Sequence, residues 1–169
     1  MDDTAADSLY ESAVTKMRQP RPDNAHIVEM LRQAIDAGSA RAAYALATWY
    51  LHGKDDVVEQ DYAEAVRLLR IAAEVHLPSA LYDLAACYAN GEGVDKDPRK
   101  AFELYLRAAL HGDDDAVFKV GRAYYYGFGV AKNRRVANIW LDRAEELGTY
   151  EPEPRDDARG KGSHERGVS

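Results

Sequence analysis

Apolar and small residues along this chain fall into a pattern that returns three times. The first stretch places them at Ala42, Leu46, Ala47 and Tyr50, the second at Ala80, Leu84, Ala85 and Tyr88, the third at Ala116, Val120, Gly121 and Tyr124. Steps of four, five and eight residues from the leading alanine trace one stripe of a 3.6-residue helix. An aromatic follows each leading alanine by two positions (Tyr44, Tyr82, Phe118), and a glycine ends each stretch (Gly53, Gly91, Gly127). Such a glycine supplies the positive φ that stops a helix. A second apolar run then builds around Ala65, Ala101 and Ala137, with Asp61, Asp97 and Asn133 placed to accept hydrogen bonds from the orphan amides at its start. Pro98 directly follows one of these caps, where a missing N–H does no harm. In the middle copy the second stripe is Ala101, Leu104, Tyr105 and Ala108, with Lys100, Glu103 and Arg107 facing away. Each copy is predicted to be a pair of helices.

The leading alanines are 38 and 36 residues apart and the second-run alanines 36 and 36. The two extra residues lie in the KDDVVEQ loop after Gly53, where an insertion is cheap. Gly112 and Gly148 close two copies, and His76 holds that place in the first, so its turn is expected to depart from the pattern. No single helix pair buries its stripe alone, so a period near 36 implies stacked units sharing one continuous core. Alanine and glycine at fixed places let helices approach closely, and one methyl group too many would overpack the contact. The aromatics are expected to fill the wider gaps between units. The fold class that follows is all-α, an α/α solenoid of stacked antiparallel helix pairs.

The string A-x-x-x-L-[AG]-x-x-Y-x-x-G-x-G-V, followed by D-x-x-K-A and W-x-x-[KR]-A, resembles the Sel1-like repeat, a relative of the tetratricopeptide repeat. Residues 80–112 match through Ala80, Leu84, Ala85, Tyr88, Gly91, Gly93, Val94, Asp97, Lys100, Ala101, Ala108, Ala109 and Gly112. The third copy keeps Gly121, Gly127, Gly129, Val130, Ala137, Trp140 and Ala144, but has Asn133 in place of Asp and Glu145 in place of an alanine. The first copy lacks the GxGV string after Gly53. The resemblance implies a tetratricopeptide-like superhelix that acts as an adaptor or binding platform, and it implies no catalytic residues.

The flanks divide the chain. Residues 1–38 are expected to form a degenerate helix pair that caps the array. Its first helix is expected over residues 5–18 with Leu9, Ala13, Val14 and Met17 inward. Its second carries Ile27, Met30, Leu31, Ala34 and Ile35, with Asp23 or Asn24 as cap and Gly38 as stop. The QPRPDN link between them is expected to be extended, because each proline biases its predecessor away from helix. Residues 39–149 hold the three repeats. Residues 150–169 are rich in Pro, Gly and charge, with almost no apolar residue, and are expected to be a disordered tail. Ile139, Trp140 and Leu141 have no following repeat to cover them, which makes the last helix a second candidate interface and a route to self-association.

Charge and composition narrow the function. The net charge is −7, with 22 Lys+Arg against 29 Asp+Glu, which argues against a nucleic-acid or anionic-membrane binder. No stretch approaches 18 apolar residues, so no membrane helix is expected, and the acidic start MDDTAADSLY lacks the order of a secretory signal. A cytoplasmic protein, bacterial by the resemblance, is the expectation. The single Cys87 excludes an intrachain disulfide and a cysteine-based zinc cluster, and reads as a small buried residue with no base beside it. His26, His52, His76, His111 and His164 show no ligand spacing, so neither a metal nor a cofactor is expected. The GEGV and GFGV strings lack the strand and lysine of a phosphate loop. The run Asp113, Asp114, Asp115 reads as charge at the positive end of a helix. An enzyme is not expected.

By analogy with the repeats this chain resembles, the first helices are expected to line the concave face. Positions three, six and ten after each leading alanine then project into it: Ala45, Thr48 and His52; Asp83, Ala86 and Asn90; Lys119, Arg122 and Tyr126. The set runs from neutral through acidic to basic and aromatic. The partner-binding residues expected are Thr48, His52, Asp83, Asn90, Lys119, Arg122 and Tyr126, with Arg122 and Tyr126 as anchors. The function expected is protein binding, with a partner peptide or loop in the groove. The alternative is an immunity or antidote protein for a basic bacterial toxin, whose opposite charge would speed encounter.

Overall fold

A computed structural model describes residues 3–149 of the chain, with side chains from residue 5 onward. The expected tail over 150–169, His164 included, lies outside the described residues. Within them the elements are α1 (Asp3–Met17), α2 (Asn24–Asp36), α3 (Ala40–His52), α4 (Tyr62–Glu74), α5 (Pro78–Asn90), α6 (Pro98–Leu110), α7 (Asp114–Tyr126) and α8 (Arg134–Glu146). An isolated bridge between Lys54 and Val58 is the β feature among the described residues. Successive helices pack in sequence order, the tightest pairs being α3 with α4, α5 with α6 and α7 with α8.

Local sequence sets each boundary. Asp61 accepts from the amides of Ala63 and Glu64, Asp97 from those of Arg99 and Lys100, and Asn133 from that of Val136. The amide of each of these caps in turn donates to the carbonyl of the tyrosine that ends the preceding stripe: Asp61 to Tyr50, Asp97 to Tyr88 and Asn133 to Tyr124, all at 2.9 Å. The two-residue insertion of the first repeat leaves that bond unchanged. It is taken up by a small turn between Lys54 and Val58, whose buried Val58 side chain joins the core. At the front, Asp23 rather than Asn24 is the cap of α2, accepting from the amide of His26. Asp113 caps α7 through the amide of Ala116, with Asp114 and Asp115 in the first turn, so the acidic run serves the helix start.

The turn at His76 does not depart from the pattern. His76 takes φ +59°, the left-handed backbone that Gly112 and Gly148 adopt at the same register, and its ring lies 4.7 Å from that of His111. A side chain is tolerated because this register is open: at the equivalent Gly112 and Gly148 an added Cβ meets nothing within 4 Å.

The core is one stripe passed from unit to unit. Ile27, Leu31, Leu46, Leu68, Leu69, Leu81 and Val120 are closed off from solvent, and the alanines Ala42, Ala47, Ala65, Ala80, Ala85, Ala101, Ala116 and Ala137 are fully buried between them. Each large side chain so buried contributes about 1.5–3 kcal/mol. Gly121 stands where its sister units have alanine, because Leu141 of α8 packs directly over it. Leu141 is therefore covered within its own unit, Trp140 is half-buried and Ile139 is exposed, so the last helix does not present the three together.

Spacing between units is set by backbone approach. Gly93 lies against the backbone of Tyr62 and Ala63 at the start of α4, and Gly129 against Pro98 at the start of α6. The first repeat has Asp55 at this register, also with positive φ (+48°), and its carboxylate accepts from Asn24 at the start of α2. A unit-to-unit link thus recurs at this register, by backbone approach in the second and third repeats and by a side-chain hydrogen bond in the first.

Candidate interaction surface

Twice along the chain, a side chain two positions after one leading alanine faces a side chain three positions after the next. The Tyr44 hydroxyl of α3 stands near the Asp83 carboxylate and the Ser79 hydroxyl of α5, and both act on it electrostatically. Lys119 of α7 holds its ammonium 5.9 Å from the centre of the Tyr82 ring of α5, within cation–π range. Tyr82 itself meets the buried Tyr105 of α6 edge-on at 5.4 Å. The result is a ladder across three units: Tyr44 to Asp83, then Tyr82 to Lys119.

Electrostatics grade this ladder. Burial pushes the Asp83 carboxyl above its ordinary range against the opposing pull of the Tyr44 hydroxyl and of His52, while Asp113 adds repulsion. Burial beside Asp83 raises the Tyr44 phenol to about 12. Asp113 is likewise raised by burial, with Asp115 and Asp114 adding to the effect and its bond from the Ala116 amide opposing it. The middle of the surface is therefore acidic and partly desolvated. Its third unit is cationic and aromatic. The exposed Arg122 guanidinium sits 5.6 Å from the Phe118 ring and 5.7 Å from the Tyr126 ring, one helical turn to either side, and the Tyr126 ring lies 4.9 Å from Tyr125.

The expected binding residues meet different fates. Asp83 and Lys119 are half-buried in the ladder, and Arg122 and Tyr126 are exposed in the third-unit strip. His52 is exposed at the end of α3, near enough to Asp83 to favour its ionised form. Thr48 is half-buried and its hydroxyl donates to the Ala45 carbonyl of its own helix, while exposed Asn90 donates to Glu92 beyond the helix end. Thr48 and Asn90 therefore engage their own units rather than a neighbouring one. The expected list omitted Tyr44, Tyr82 and Phe118, which stand on the same face. Their signal was present as the aromatic two places after each leading alanine, read there only as gap-filling.

Cys87 is buried and its thiol is pushed to about 11 by desolvation. No group of three His, Cys, Asp or Glu among the described residues is placed to hold a metal ion. Nor is any helix among them long and apolar enough to cross a membrane.

The Sel1 repeat pattern matches residues 40–75, 78–113 and 114–149. This chain belongs to the Sel1 repeat family. Chitin synthase regulator SKT5 of Saccharomyces cerevisiae is 31% identical over 112 residues, which is 66% of this chain and 16% of that protein. A protective antigen of uropathogenic Escherichia coli with the SLR fold superposes with a TM-score of 0.79 and 30% identity, covering 85% of this chain and 31% of that one. Immunity protein Pa5087 from Pseudomonas aeruginosa superposes with a TM-score of 0.61 and 25% identity, covering 88% of this chain and 55% of that one. The Sel1 chain thus spans under a fifth of the yeast regulator and under a third of the antigen. Sel1 repeats generally mediate protein–protein interaction, and their fold is a scaffold rather than a typical enzyme fold.

Proposed function

We propose that this Sel1 repeat protein is a binding module that holds a peptide or loop of another protein against the face formed by α3, α5 and α7. The observation that carries this reading is the ladder of Tyr44, Asp83, Tyr82 and Lys119 leading to the strip of Phe118, Arg122 and Tyr126. It joins three units into one surface with an acidic middle and a basic aromatic end. Aromatic and arginine side chains are the residues that anchor interfaces, and a surface graded in charge fixes the direction in which an extended segment lies. Asp83, His52, Lys119, Arg122 and Tyr126 are the contact residues of this reading, with Thr48 and Asn90 at its margins. The test is affinity capture from native lysate with the chain and its Lys119→Ala/Arg122→Ala variant. A stoichiometric protein held by the parent and lost by the variant is expected. Capture by both would remove the face from the reading, and capture by neither would remove the binding module.

A second reading makes the bound protein a toxin that the chain inhibits. The likeness to an immunity protein and the net charge of −7 favour it. A basic partner identified in the same capture, with its toxicity abolished on co-expression of this chain, is the expected result.

A further inference from the structure

Two histidines 35 residues apart in sequence come together at the surface. His76 stands in the turn between α4 and α5, and His111 in the turn between α6 and α7, where it is the C-cap of α6. Both are exposed, and their ring centres lie 4.7 Å apart with 34° between the ring planes. Their spacing along the chain matches no ligand motif. Stacking of the second repeat on the first creates the pair.

The backbone beneath each ring is fixed by the helix end it closes. The His76 amide donates to the Ala73 carbonyl at 3.1 Å, and the His111 amide to those of Arg107 at 3.0 Å and Ala108 at 3.1 Å. His76 also holds φ +59°, at the register where Gly112 and Gly148 serve the other two repeats. Side chains are disfavoured at such a backbone, so the turn itself does not call for an imidazole. A residue kept in a sparsely populated conformation is a pointer to function.

The chemistry of the pair is that of a nitrogen chelate. Neutral imidazole is the commonest protein metal ligand and suits zinc, copper and nickel. An ion bound at about 2.0–2.1 Å to one nitrogen of each ring holds the two nitrogens about 3 Å apart. Rotation of two exposed side chains with ring centres already at 4.7 Å supplies that spacing. Among the described residues no third His, Cys, Asp or Glu completes a cluster. The acid nearest in sequence, Asp113, accepts from the Ala116 amide as a helix cap. The remaining coordination positions therefore fall to water. Magnesium and calcium prefer oxygen ligands and gain little from such a pair.

We propose that His76 and His111 form a two-imidazole site for a divalent transition-metal ion of the zinc and copper class. The bound ion ties the turn after the first repeat to the turn after the second. Because only the folded stack brings the two rings together, binding stabilises it by mass action. The proposal is independent of the binding face on α3, α5 and α7.

The test is calorimetric titration of Zn²⁺ into the full chain, with Cu²⁺ and Mg²⁺ run beside it. One Zn²⁺ per chain is expected, with Cu²⁺ tighter and Mg²⁺ giving no binding. Losing the group that merely orients a metal ligand costs about 10–100-fold in affinity. His76→Gly and His111→Ala, which remove a ligand outright, are each expected to lower Zn²⁺ affinity by about tenfold or more. His26→Gln is expected to leave it unchanged, and unaltered circular dichroism spectra show that all three variants fold. The thermal midpoint of the parent is expected to rise with Zn²⁺ concentration, and those of the two site variants to stay constant. Absence of Zn²⁺ binding by the parent would overturn the proposal. So would binding that survives either site substitution, or equal binding of Mg²⁺. Sedimentation that finds one ion per two chains would assign the metal to a contact between copies and overturn it as well.

Discussion

Glycine at the second position of the GxG turn is predicted to set the spacing of the solenoid, and Gly93→Ala measures it against a control in the same repeat. Gly93 has φ +69°, and a Cβ added there would fall inside the envelope of the Tyr62 carbonyl, with the Ala63 nitrogen at 2.8 Å. Both are backbone atoms at the start of α4, so no rotamer change relieves the overlap. Gly112 has φ +98° and nothing within 4 Å of an added Cβ. Gly112→Ala therefore meets only the backbone strain, about 1–2 kcal/mol, partly offset by the lower entropy of the unfolded chain, about 0.4–1 kcal/mol. The net cost is about 1 kcal/mol. Gly93→Ala adds the separation of unit two from unit one, and overpacking of that kind costs about 1–3 kcal/mol, for a total near 3 kcal/mol. With a urea slope of about 1–3 kcal/mol/M, the Gly93→Ala midpoint lies about 0.7–2 M below that of Gly112→Ala. Trp49 and Trp140 flank the junction, one in the first repeat and one in the third. Following fluorescence beside circular dichroism reveals whether the first repeat now unfolds separately, as nearest-neighbour coupling in a repeat array predicts. Equal midpoints for the two variants would refute the argument that this close approach holds the units in register.

Three further outcomes follow from particular residues. His76→Gly keeps or raises the thermal midpoint because φ +59° suits glycine, whereas His76→Val lowers stability by about 1–2 kcal/mol, since a β-branched residue resists that backbone; equal midpoints for the two would contradict the assigned turn. Asp97→Ala removes the acceptor for the Arg99 and Lys100 amides and costs about 1 kcal/mol in urea unfolding, while Asp97→Ser recovers most of it. Asp83 is held above the ordinary carboxylate range by burial, so the folded chain binds its proton more readily than the unfolded chain does. Its ionised form then opposes folding above that raised pKa, and the penalty fades as pH falls through the folded and then the ordinary carboxylate pKa. Asp83→Asn is expected to raise the melting temperature at pH 7 and to lose that advantage at pH 3; an equal gain at both would show that the carboxylate charge is not the cause.

The sequence by itself determined the repeat, its period, the helix pairs and nearly every cap, because these rest on local chemistry. A stripe at fixed spacing, an Asp before a run and a Gly after it act within one or two turns of their own backbone. Asp61, Asp97 and Asn133 cap as their positions required. His76 was misjudged because residue type alone does not reveal a turn that its neighbours have already closed. What only the tertiary structure decided is what one unit presents to the next. Tyr44 and Asp83 are 39 residues apart, and only the stacking of units brings them near enough to influence each other electrostatically. Lys119 meets Tyr82 for the same reason. Thr48 and Asn90, alike in sequence to the other groove candidates, engage groups of their own unit. The pitch of the stack belongs to the same class: Gly93 looks like any turn glycine until the backbone of Tyr62 lies against it. Hydrophobic period fixes which side of a helix is buried, but the groups that meet across a junction depend on the rotation and rise between units, and those are set by contacts between residues distant in the chain.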